Sequence, residues 1–165
     1  MLILGLDPGS RFTGYGLIRA DDNRLEVVTH GRFSLPSSSS LALRLAKLSS
    51  QLASLLAERP PDVAVLETPF HGLNTRSLVV LAQARGALLA VLGSHGVEIG
   101  EYSPAEIKSA VTGSGQADKQ QVSRMVALQL SLAQDTLSPD AADALAVAIC
   151  FARRQRFDHL VRRGR

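Results

Sequence analysis

The chain has 165 residues, 45% apolar and 20% charged, a composition that suits one soluble globular domain with a single sizeable core. The apolar runs at 78–92 and 144–152 are broken by Arg85 and closed by Arg153 and Arg154, short of the roughly 20 residues that span a bilayer, and the start lacks the basic leader of a signal peptide; a cytoplasmic location is expected, with no membrane partner. The net charge of +3 is uneven: the stretch "FARRQRFDHLVRRGR" sets six arginines against one aspartate, whereas residues 1–150 carry twelve basic and fourteen acidic residues, a pattern open to a polyanion partner or to a solvated terminus.

In chain order, strands are predicted at 2–7, about 12–20 and 25–34, separated by the turn signals "DPGSR" and "DDNR", as an antiparallel meander. "LPSSSS" at 35–40 reads as a loop and N-cap region. Leu41, Leu45, Leu48, Leu52, Leu55 and Leu56 then recur at helical spacing up to Arg59-Pro60-Pro61. "DVAVLE" reads as a buried strand, 75–93 as a long helix, "VEIGEY" as a short strand, and 104–112, 118–131 and 139–155 as helices. Strands followed by alternation with helices imply an α/β architecture, a mixed sheet covered by helices. Residues 1–155 are expected to form one domain and 156–165 a basic tail that need not be ordered. The single Cys150 excludes an internal disulfide and sits in an apolar helical stripe, as a buried thiol does.

The first strand ends in Asp7, and a carboxylate at a buried strand end must be paired or metal-bound to remain charged. In "DVAVLETPF" the fourth strand likewise ends on Glu67. Either acid alone reads as a solvent-facing loop residue. Both together lie at the carboxyl edge, where open α/β sheets bind ligands. "SPDAADALAVAIC" supplies two more, with Ser138 as N-cap and Pro139 at the first helical position. Asp140 there has an ordinary reading in the helix dipole. Asp143, three residues on, continues through Val147 to Cys150 along the apolar face, and Ala141, Ala142, Ala144 and Ala146 allow close backbone approach. Four converging carboxylates repel one another unless divalent cations neutralise them. Oxygen donors without a Cys or His cluster select Mg²⁺ or Mn²⁺; His30, His71, His95 and His159 show no ligand spacing and read as loop or surface residues. Two such ions about 3.5–4 Å apart serve in-line displacement at phosphorus, so phosphodiester hydrolysis is the leading chemistry.

From "ILGLDPGSRFTGYG" through "LETPF", "LAQARGAL" and "YSPAEIKSAVTGSGQADKQQV" to "PDAADALAVAI", the chain resembles the RuvC Holliday junction resolvases. A GxDxG opening alone also occurs in sugar kinases and actin-like ATPases; five motifs in order are specific. The resemblance implies a ribonuclease H-like fold with a five-stranded sheet. It also implies an endodeoxyribonuclease that resolves four-way junctions by paired symmetric nicks in recombination and DNA repair. Asp7 would bridge two Mg²⁺ or Mn²⁺ ions, Glu67 complete one, and Asp140 with Asp143 the other, leaving 5′-phosphate and 3′-hydroxyl ends. Some members of the family carry His at the position of Asp140; this chain has the all-carboxylate version.

By the same resemblance Phe70 inserts among bases, where the alternative is packing on the core. Lys108 and Lys119, two of only three lysines, flank the Gly113-Ser114-Gly115 loop and line the DNA path. Arg76 and Arg85 are possible phosphate contacts. A homodimer suits a two-fold junction, and the long helix, apolar at Leu78, Val79, Leu81, Ala82, Leu88, Leu89 and Val91, is the expected interface. A partnership with the RuvA-RuvB branch-migration machinery is implied by the resemblance alone. From Arg153 on the chain departs from the matched core, where it could add phosphate affinity. The alternatives are a branched-DNA-binding module that does not cut, which four unneutralised carboxylates disfavour, and an actin-like lobe, which needs a second lobe.

Overall fold

Alternation of side chains along the strands decides which residues face which layer. The computed structural model describes residues 1–9, 11–21, 24–35, 38–68, 75–133 and 136–163, with the backbone alone at Thr75, Arg76, His159, Leu160, Arg162 and Arg163. β1 (Leu2–Asp7), β2 (Phe12–Asp21) and β3 (Arg24–Ser34) form the antiparallel meander. β4 (Val63–Glu67) joins the other side of β1 in parallel, and β5 (Glu98–Tyr102) continues outward from β4. The sheet is therefore mixed, in the order β3-β2-β1-β4-β5. Its helices are α1 (Leu41–Glu58), α2 (Thr75–Ser94), α3 (Pro104–Thr112), α4 (Lys119–Gln129) and α5 (Pro139–Arg163).

Successive strand residues feed two cores. Leu4, Leu6, Leu17, Ala64 and Leu66 pack against Leu48, Leu52 and Leu56 of α1 and Ala84, Leu88 and Leu92 of α2. Ile3, Ile18, Val63 and Val65 face the other way, onto α3, α4 and the alanine-rich half of α5. Period two then carries Asp7 and Glu67 onto the α5 face, and the pairing of Leu6 with Leu66 brings both to the same sheet edge.

Local signals fix the helix starts. Ser103 and Glu106 form a capping box with Pro104 in the first turn of α3, and Asp118 with Gln121 does the same for α4. The Ser138 hydroxyl accepts from the Ala141 amide at 3.3 Å, as predicted for the start of α5. Glycines on β1 and β2 let α5 come close. A Cβ on Gly5 would collide with the carbonyl oxygen of Ala144, and one on Gly14 with that of Asp140. Small residues on both sides thus set the depth of α5 against the sheet. Cys150 is buried there, and burial pushes its thiol up to about 11, so it is inert.

Two expectations need correction. The helix expected over 139–155 runs on to Arg163. Arg85 does not disqualify the apolar run of α2: Ser77–Ser94 is long and apolar enough to cross a membrane by length and composition. In this fold Ala84, Leu88 and Leu92 of that run pack into the core, and Arg85 itself is only 8% exposed.

Candidate active site

The carboxyl ends of β1 and β4 and the inner faces of α3, α4 and α5 enclose a cleft of about 170 Å³. Asp7, Glu67 and Asp143 line it with Lys108 and Lys119; Pro104, Ile107, Val122 and Ala146 form its apolar walls. Strands deliver the first two acids. Asp143 comes from the second turn of α5, on the stripe that faces the sheet.

Crowding marks the electrostatics. Burial pushes the Asp7 carboxyl up to about 7 from 3.8, with Asp143 and then Glu67 adding to the rise, Lys119 opposing it and Asp140 contributing least. Glu67 is raised as well, by burial first and Asp143 next, against the pull of Lys119 and Lys108. Lys119 is held above its usual value by Asp143, to which its Nζ donates at 3.2 Å. The lysine side chain is 86% exposed, so this pair is weak and easily exchanged for another anion.

Asp140 sits apart from the cleft lining, one turn earlier on α5. Its carboxylate faces Arg32 on β3 at 3.6 Å, and that guanidinium lies 4.2 Å over the ring of Phe12. Arg32 was missed in the sequence, because only the β2–β3 register, which pairs Gly14 with Arg32, brings it beside α5. Phe70 lies outside the described residues, and Arg76 is described only as backbone in the first turn of α2. Arg85 faces inward, which does not suit a phosphate contact: Nη1 donates to the carbonyl oxygen of Glu67 at 2.7 Å and Nη2 to Glu101 Oε1 at 2.5 Å.

A hard divalent cation fits this donor set. Every candidate ligand is a carboxylate, and the elevated Asp7 reports negative charge that one ammonium does not offset. Among the described residues no three such side chains already stand together as a ligand cluster; Lys119 pairs with Asp143, and Lys108 acts on Glu67.

The family model for crossover junction endodeoxyribonuclease RuvC matches residues 3–151. The chain belongs to the RuvC family. A family member from Halorhodospira halophila is 46% identical over 151 residues, 91% of this chain and 89% of that protein. The RuvC structure from Thermus thermophilus superposes with a TM-score of 0.88 at 24% identity, covering 96% of this chain and 97% of that one, so the two share a fold. The same T. thermophilus protein in complex with Holliday junction substrate gives a TM-score of 0.86 at 22% identity, over 95% of this chain and 96% of that one. The ribonuclease H-like fold expected from the motifs is thereby established. All five motifs lie within the span matched to the family.

Proposed function

We propose that this chain is a structure-specific endodeoxyribonuclease that resolves four-way DNA junctions, hydrolysing one phosphodiester in each of two symmetry-related strands. One observation carries the reading: in a member of the RuvC family, Asp7, Glu67 and Asp143 meet with two lysines in a cleft at the carboxyl edge of the sheet. An apolar wall behind the acids lowers the local dielectric, so each charge in the cleft acts more strongly on a phosphate than it would in water.

The roles follow from position. Asp7, buried and crowded by the other carboxylates, would be the central ligand, with Glu67 and Asp143 beside it and Asp140, balanced by Arg32, completing the set. These four residues would hold Mg²⁺ or Mn²⁺, two ions by the resemblance, and the metal would supply Lewis-acid charge and a water of lowered pKa. Lys119 stays protonated, and its exposed ammonium exchanges Asp143 for a substrate phosphate oxygen. Lys108, one turn into α3, supports the same strand from the opposite wall. Phe70 and Arg76 serve as a base-inserting aromatic and a phosphate contact beyond β4, by resemblance. The active species is a homodimer working in the cytoplasm, with RuvA-RuvB as its branch-migration partner. The arginines of the last turns of α5 add sequence-independent affinity for DNA.

Cleavage of a synthetic four-way junction with Mg²⁺ or Mn²⁺ tests this, with linear duplex and Asp7→Asn as controls. Paired symmetric nicks in the junction alone, lost in Asp7→Asn while junction binding survives, are expected. Binding without cutting in either metal would overturn the reading in favour of a branched-DNA-binding module.

A further inference from the structure

Arg85 is the one described charged residue inside the fold, and its chemistry restricts what it can be doing there. A guanidinium does not lose its proton, so a buried one has to be met by acceptors. The two it meets belong to different strands: the backbone carbonyl of Glu67 at the end of β4, and the carboxylate of Glu101 on β5. The residue itself belongs to α2, between the core positions Ala84 and Leu88. One rigid fork therefore ties a helix to two strand ends at the edge of the catalytic cleft.

We infer that Arg85 is a positioning residue, which sets where β4 delivers the Glu67 carboxylate. This deepens the proposed function and rests on it. Two observations separate positioning from neutralisation or phosphate contact. Arg85 donates to the main-chain carbonyl of Glu67 at 2.7 Å, with no bond to its carboxylate, so it acts on the backbone. Its side chain is only 10% exposed, which leaves no face for DNA. Glu67 is the last residue of β4, paired with Tyr102 of β5, whereas the ladder with β1 ends at Leu66. Beyond Glu67 the Thr68 amide makes one further bond, to the Tyr102 carbonyl at 2.8 Å. Arg85 supplies a second tether, in the plane of the fork, from the opposite side of the sheet to α5. The donors of lysine all radiate from one nitrogen on a flexible stem, so it lacks the planar two-nitrogen fork that fixes both acceptors in one geometry.

The test uses the full chain with Arg85→Lys, Arg85→Met and Glu101→Gln, and Glu67→Gln as the control for the underlying reading. Mn²⁺ affinity without DNA is measured by calorimetry, and single-turnover junction cleavage is followed across a Mn²⁺ titration. Arg85→Lys should weaken Mn²⁺ binding about tenfold and move the cleavage midpoint by a similar factor, with junction binding within about twofold of wild type. Glu101→Gln, which keeps the bond to the Glu67 carbonyl, should move both in the same direction by less. A residue that served only stability would lower the melting temperature and leave the metal midpoint of the folded fraction unchanged; that result in Arg85→Lys and Glu101→Gln overturns the inference, even where Arg85→Met does not fold. Should Glu67→Gln cut like wild type, the reading of Glu67 as catalytic fails instead, and the two failures are told apart.

Discussion

Asp7 is held in a place that opposes its charge. Burial and the neighbouring carboxylates raise it from 3.8 to about 7, so the folded chain binds this proton more tightly than the unfolded chain does. The stability this contributes is fully present below about pH 4 and is lost as pH rises through about 7. In the absence of divalent ions, Asp7→Asn should therefore melt above wild type at pH 8 and match it below pH 4. A difference of roughly 2–4 kcal/mol is expected, at about 2–4 °C for each, by scanning calorimetry. Added Mn²⁺ should raise the wild-type melting temperature and leave the variant where it is. A wild type more stable than Asp7→Asn at pH 8 without metal would mean that the fold already compensates the charge. At this scale the sequence was informative for acids and poor for arginines. A carboxylate ending an apolar strand announces itself, because nothing in a sheet core calls for one. Arg32 and Arg85 depend on strand register and on which face of α2 turns inward, and neither is written in local spacing.

Among the elements, α5 decides whether the site exists, since it brings Asp140 and Asp143 to the strands that carry Asp7 and Glu67. Its approach depends on glycine at the contact: a Cβ at position 14 would strike the Asp140 carbonyl oxygen, which belongs to the helix backbone and cannot turn aside as a side chain could. Gly14→Ala should cost about 1–3 kcal/mol, as overpacking does, and should lower cleavage by far more than the unfolded fraction explains, because the helix shifts with two acids on it. Gly93→Ala on α2, where a Cβ meets nothing within 4 Å, should leave cleavage unchanged and gain a few tenths of a kcal/mol. Cleavage by folded Gly14→Ala at the wild-type rate would remove the close approach from the account. The described strands and helices were legible because apolar periodicity, capping residues and prolines agree along the chain. The end of α5 was not: "RRQRF" reads as a basic tail, yet arginine and glutamine are good helix formers, and the helix continues past the packed part of the domain.

For the whole molecule, one cleft with one set of acids hydrolyses one strand, whereas a symmetric junction offers two equivalent strands. The side of the fold opposite α5 has the apolar surface a second copy could cover. Leu78 and Val79 on α2 are 39% and 50% exposed, and Ile99 on β5, on the same face of the sheet, is 37% exposed. β5 is also an edge strand, with one side unpaired in the sheet order. A Leu78→Glu, Val79→Glu double variant places two charges in this patch without touching any acid of the cleft. It should sediment as a monomer with the wild-type melting behaviour, and the wild type should sediment as a dimer. On a supercoiled plasmid carrying an extruded cruciform, paired nicks at the junction linearise the circle and a lone nick only relaxes it. The wild type should give linear product, and the variant relaxed circles at a rate set by its weakened junction binding. A variant that still sediments as a dimer would place the interface elsewhere. A monomer that still linearises the cruciform in one encounter would separate pairing of the cuts from pairing of the chains, and the two-fold match between protein and junction would no longer explain symmetric cleavage.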